Sequence, residues 1–275
     1  MLFLLTALMG CGETSPDTLI DELRVVASVA TPPEVKPGEP FSLSSYAANP
    51  DDGNAQALTW VCTNLGDGCL EAQGGSLSLN VTQLDGLAPQ WERTLSVSPI
   101  LQPVLAEAET LTATQLWTVV CTPNTCPIID SVDGLDGMSA WSDDLADQLA
   151  NPLDWITDLP MEGVSAAYQL ITTSLSDQPH ENPTIEADPD NPTELDLGAP
   201  FELTFTVDGE FTDQAQLYAY ASAGGFMTLN TFVEAGETVT IEGTAPEKGD
   251  SLRVWAVIVD GSGGVAVFTS LFSLE

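Results

Sequence analysis

The chain has 275 residues, with 41 Asp and Glu against 5 Lys and Arg, for a formal net charge of -36 at pH 7. Such a chain repels phosphate backbones and anionic headgroups, which excludes nucleic acid as a partner and argues against charge-driven adsorption to a membrane. It is 43% hydrophobic with six Trp, and its acids are scattered rather than blocked. It is therefore expected to fold, to carry its charge on the surface, and to gain stability from salt that screens self-repulsion.

In chain order, the first element is the apolar run Leu2 to Met9, which ends in Gly10-Cys11 and gives way to the polar Gly12-Glu13-Thr14-Ser15. The run has the length of a signal-peptide apolar region and is too short to span a bilayer. No Lys or Arg precedes it, so the positive start of a signal is expected upstream of Met1. Leu8-Met9-Gly10-Cys11 resembles the lipobox of bacterial lipoproteins. That resemblance implies removal of residues 1–10, acylation of Cys11 and a tether over residues 11–18. Several acyl chains on one residue hold a protein stably on a membrane. Gly12 after the Cys, by resemblance to lipoprotein sorting, implies the outer membrane. From Gly12 to Thr18 the tether reaches at most about 25 Å, which predicts that the first folded unit lies close to the membrane.

From residue 19 onward the pattern is β. Phe41-Ser42-Leu43-Ser44 and Phe201-Glu202-Leu203-Thr204-Phe205-Thr206-Val207 alternate apolar with polar, as strands covering a core on one face do. Turn residues bound them, with Pro37-Gly38 and Leu197-Gly198 before, and Asn49-Pro50-Asp51-Asp52-Gly53 and Asp208-Gly209 after. Arg253 to Val259 and Val265 to Phe272 flank Asp260-Gly261-Ser262-Gly263-Gly264, a hairpin signal in which Gly supplies positive φ. Trp255 is expected in the core of that unit.

The chain repeats itself. Glu34-Val35-Lys36-Pro37-Gly38-Glu39-Pro40-Phe41 returns as Glu194-Leu195-Asp196-Leu197-Gly198-Ala199-Pro200-Phe201. Leu58-Thr59-Trp60-Val61-Cys62 stands 160 positions before Tyr218-Ala219-Tyr220-Ala221-Ser222, the same offset that separates residues 34 and 194. Two homologous units are predicted, over residues 19–178 and 179–275. Strands every 8–12 residues in units of this kind predict an all-β fold of two tandem Ig-like β-sandwiches. The string Pro32-Pro33-Glu34-Val35-Lys36-Pro37-Gly38-Glu39, then a strand, then Asn49-Pro50-Asp51, then a strand holding Trp60, resembles the Ig-like and PKD-like modules of bacterial surface lipoproteins. The resemblance covers nearly all of the chain after Cys11 and implies fold more than activity. The Cys–Trp–Cys order of antibody domains is absent, because Trp60 and Cys62 share one strand.

The first unit carries an insertion at about 127–162, predicted helical. Ser139 caps a helix with Trp141, Leu145 and Leu149 on one face and Asp143, Asp144 and Asp147 on the other. Asn151-Pro152 opens a second, short helix through Trp155 and Ile156. Gly163 to Leu175 returns as a strand, and Ser176 to Pro183 is the linker between the units.

Four cysteines remain beyond Cys11: Cys62, Cys69, Cys121 and Cys126. An even count in an exported chain points to two disulfides. Three connectivities are possible, and the turn-rich spacers favour Cys62–Cys69 with Cys121–Cys126 over a bridge between Cys62 and Cys121. Zinc is disfavoured, since the spacings do not match zinc ribbons and the one His lies elsewhere.

Catalytic chemistry is not encoded in any motif. His180 sits in the linker beside Pro179 and is expected to be a solvated loop residue, which removes Ser-His-Asp and Cys-His catalysis. No P-loop, dinucleotide fingerprint or metalloprotease helix occurs. Calcium is the one cofactor the loops suggest, at Asp130, Asp133 and Asp136, with Asp51-Asp52 and Asp188-Pro189-Asp190 as further Asp-rich loops. The expectation is a lipid-anchored, non-enzymatic envelope protein that binds a ligand or plays a structural part. The alternatives are a carbohydrate-binding or adhesion protein, or an accessory subunit of an envelope assembly.

Overall fold

A computed structural model describes residues 16–36, 39–48, 55–62, 82–84, 90–96, 112–121, 164–174, 176–211 and 215–275. The predicted helical insertion, and Cys11, Cys69, Cys126, Asp51, Asp52, Asp130, Asp133 and Asp136, lie outside the described residues.

The first half contributes β1 (Arg24–Thr31), β2 (Glu34–Val35), β3 (Pro40–Ala48), β4 (Ala55–Cys62), β5 (Thr82–Leu84), β6 (Gln90–Ser96), β7 (Thr112–Cys121) and β8 (Val164–Thr173). They form two sheets, β1-β3-β6 and β2-β8-β7-β4-β5. The second half contributes β9 (Thr184–Ala187), β10 (Glu194–Leu195), β11 (Pro200–Asp208), β12 (Ala215–Ala221), β13 (Gly225–Phe226), β14 (Asn230–Val233), β15 (Glu237–Thr244), β16 (Ser251–Val259) and β17 (Val265–Leu274). Its sheets are β13-β15-β11-β9 and β10-β17-β16-β12-β14.

The two halves share one topology. β2, β3 and β4 begin at residues 34, 40 and 55, and β10, β11 and β12 begin at 194, 200 and 215, so the offset of 160 read in the sequence is kept strand for strand. In each half a short strand pairs parallel with the last long strand, β2 with β8 and β10 with β17. Tyr220 stands opposite Trp255, as Trp60 stands opposite Trp117. A first strand beside the third, facing a last-strand sheet edged by a short parallel partner, is the strand order of an Ig-type sandwich.

Alternation explains the second core. β11 reads exposed and buried by turns, sending Phe201, Leu203, Phe205 and Val207 inward. They meet Leu217, Ala219, Val254, Ala256 and Ile258 from the facing sheet. Phe201 packs edge-on to Phe226 and Phe205 to Phe268, with ring centroids 5.6 and 5.2 Å apart. The predicted hairpin closes β16 onto β17: the Asp260 N–H donates to the Gly264 carbonyl at 3.1 Å, and Gly261 has φ 78°. In the first half, Ala30, Val35, Phe41, Leu43 and Ile171 form the core. Beside them Ser28, Ser45 and Thr118 bury their hydroxyls against one another, with Ser28 and Ser45 2.9 Å apart.

Trp255 is not in the core of its own sandwich. Because side chains alternate along β16, Val254 and Ala256 face inward while Trp255 and Val257 face out. They are buried there, Trp255 to 1% exposure, by Ile20, Val26, Ala27 and Ala48 of the first half. A register shift between Val25 and Ala27 lets neighbouring Val26 and Ala27 both reach this cluster.

Candidate functional site

The junction between the sandwiches is the most constrained polar region among the described residues, and the linker builds it. Asp260 is buried at the head of the hairpin. Its Oδ1 accepts the N–H groups of Ser262 at 2.7 Å and Gly264 at 2.9 Å, satisfying the donors that the tight turn turns inward. Its Oδ2 lies 2.6 Å from Nε2 of His180. The expectation of a solvated His180 is therefore corrected: its side chain is 17% exposed and pairs with a fully buried carboxylate. Its backbone N–H donates to Oε2 of Glu34 in the first sandwich at 2.8 Å. Sequence reasoning missed the pair because Asp260 is 80 residues away, and its Asp-Gly context signalled only a turn.

Asn182 repeats the device. Its Nδ2 donates to the Ala30 carbonyl at 2.7 Å, and its Oδ1 accepts the Val265 N–H at 2.9 Å. The Gln169 amide of β8 donates to the Gly263 carbonyl. A Cβ on Gly264 would collide with the Asp260 carboxylate, so a glycine is required there by close approach alone. The linker thus joins β1, β2 and the β16–β17 hairpin through paired polar groups.

Beside it opens a cleft of about 700 Å³, lined among others by Asp177, Glu181, Asp208 and Glu210. Lys36 reaches Asp177 at 3.0 Å on the exposed rim. Such a cleft repels anions. Among the described residues, however, no group of three or more His, Cys, Asp or Glu converges as a metal site. In the Asp188–Asp190 loop the Asp188 carboxylate accepts the Asp190 N–H at 2.8 Å, an Asx turn, which gives those acids a structural role.

The predicted disulfide residues are half visible. β4 and β7 run antiparallel, and Cys62 stands opposite Gln115 while Cys121 stands opposite Gln56. Six residues of strand separate the two cysteines, about 20 Å, and a disulfide needs Cα atoms within about 7 Å. The register therefore excludes a Cys62–Cys121 staple.

The N-terminal segment departs from expectation. Thr18 is buried, and its hydroxyl accepts the Phe226 N–H at 2.9 Å. Leu19 bridges Ala221, and the Ile20 N–H donates to the Ala221 carbonyl at 2.8 Å. Thr18 to Ile20 are thus held on the second sandwich, although the first was expected to lie next to this segment.

Fold and junction together define the class: two Ig-topology β-sandwiches clamped side by side. No family model matches the chain, and no curated protein matches it. Among solved structures, a red sea bream transglutaminase is 8% identical over 93% of this chain and 32% of its own, with a TM-score of 0.28. The D0-D1 domain of intimin is 10% identical over 90% of this chain and 98% of its own, at 0.25. A conjugate transposon protein from Bacteroides vulgatus is 16% identical over 36% of this chain and 90% of its own, at 0.26.

Proposed function

We propose that the chain is an exported, lipid-anchored protein of the bacterial cell envelope, non-enzymatic, in which two Ig-like modules act as one rigid binding or structural body. The observation that carries this is Leu8-Met9-Gly10-Cys11, an apolar run closing on a cysteine and followed by a polar tether. The junction supports a rigid body, because His180, Asn182 and Gln169 tie both sandwiches with polar groups that are paired across it. Of the large exposed apolar side chains, Phe232 lies on β14 and Leu271 on β17, at opposite sides of one sheet. Cys11→Ser tests the anchor: the variant should move from the membrane to the soluble fraction on cell fractionation. A variant that stays with the membrane overturns the reading.

A further inference from the structure

We propose that the end of the second sandwich bearing Ala221, Phe226 and the 245–250 loop faces the bilayer, and that the acidic cleft at the opposite end faces away from it. The proposal rests on the Cys11 anchor and deepens it by assigning the membrane-facing surface.

The first support is covalent reach. Cys11 and Thr18 are seven residue steps apart, a span of at most about 25 Å. Thr18 and Ile20 are fixed to Phe226 and Ala221 by the contacts above, so that end of the second sandwich stays within tether length of the anchor. Backbone hydrogen bonds gather the neighbouring loops at the same end. Gly198 N–H donates to the Pro246 carbonyl at 3.0 Å, Ala245 N–H to Ala199 at 2.9 Å, and Leu274 N–H to Asp250 at 3.1 Å. β16 spans nine residues from this end to the hairpin at Asp260, about 30 Å. The two ends are thus separated by more than the tether can blur.

Charge acts more weakly. A body of net charge -36 is repelled by anionic headgroups, and cations near the anchor lessen that repulsion locally. Lys248 lies in the 245–250 loop and Arg253 two residues into β16. Among the described residues neither forms an ion pair, and Nε of Arg253 is buried without a hydrogen-bond partner. At the opposite end, Asp177, Glu181, Asp208 and Glu210 line the cleft, and Lys36 is already paired with Asp177. Exposed Glu247 and Asp250 flank Lys248, and exposed Asp17, Asp21, Glu22, Asp196 and Glu275 lie toward the same end, so both ends are acidic and covalent reach, not charge, selects the end that faces the bilayer.

The test uses the full-length lipidated protein reconstituted into phosphatidylethanolamine–phosphatidylglycerol vesicles. A donor dye is placed through an encoded unnatural amino acid at Glu247 or at Glu210, both exposed, with an acceptor dye on the lipid headgroups. Energy transfer should be severalfold stronger from position 247 than from position 210. Equal transfer, or stronger transfer from 210, in protein that floats with the vesicles overturns the orientation while leaving the anchor standing. Protein that does not float with the vesicles overturns the anchor, and the orientation with it.

Discussion

Asp260 is a buried carboxylate whose three polar contacts come from its own turn and from His180. Removing one contact leaves a lone pair in a dry place, which costs more than the bond itself contributes. His180→Ala should therefore destabilise the protein by about 1–3 kcal/mol, read as a lower urea midpoint, and His180→Gln should recover part of the loss. A midpoint unchanged in the alanine variant would mean that the pair is ornamental. Tyr220 offers a second residue-level test. Burial is the main cause that raises its phenol pKa above the ordinary 10.0, opposed by the guanidinium of Arg24, which lies 5.1 Å from the ring centroid. A raised native pKa means that the folded state holds its proton longer. Stability is then intact below pH 10 and lost as pH rises through the raised value. Tyr220→Phe should shift alkaline unfolding upward, and an unshifted curve would place the ionisation elsewhere.

At the scale of elements, the antiparallel register of β4 and β7 removes one of the three possible cysteine connectivities. Non-reducing peptide mapping should recover Cys62 with Cys69 and Cys121 with Cys126, and a Cys62–Cys121 peptide would contradict the observed pairing of Cys62 with Gln115. Loops this short gain little from closure, so reduction should soften the first sandwich rather than unfold it. The strands themselves were legible because alternation has a period of two and Gly and Pro mark its ends. Phe201 to Val207 and the Asp260–Gly264 hairpin were both read this way. The repeat offset holds over the first four strands of each half, β1 to β4 against β9 to β12, and the strand order agrees with it there. In the second unit a five-residue turn joins the last two strands, whereas residues 122–163 join β7 to β8 in the first. What stayed hidden was pairing between distant elements. Thr18 meets Phe226 across 208 positions and Ser28 meets Thr118 across 90, and no local pattern records a partner at that separation.

For the whole molecule, the decisive fact is which side of β16 is covered. Alternation told that one face of the strand is buried in its own sandwich. It could not tell that the opposite face, with Trp255, Val257 and Val265, is buried by β1 and Ile20 of the other. Both faces therefore look equally apolar in the sequence, and Trp255 reads as core. The structure packs the two sandwiches face to face, and the first supplies the cover. A fragment beginning at Glu181 keeps all of β9 to β17 and its Phe-rich core, so it should retain a β circular dichroism spectrum. It loses the cover over three large apolar side chains, each worth about 1.5–3 kcal/mol when buried. The fragment should melt well below the intact chain and associate through the bared face as concentration rises. Trp255 is its only Trp, so emission reports that face directly. In dilute folded fragment it should emit as in water, and after adding the first sandwich as residues 16–178 in trans, the difference spectrum against that unit's own five-Trp emission should show it shifted blue. Blue-shifted emission from a folded, monomeric fragment would show that Trp255 is covered within its own sandwich, and the side-by-side clamp would fall with it.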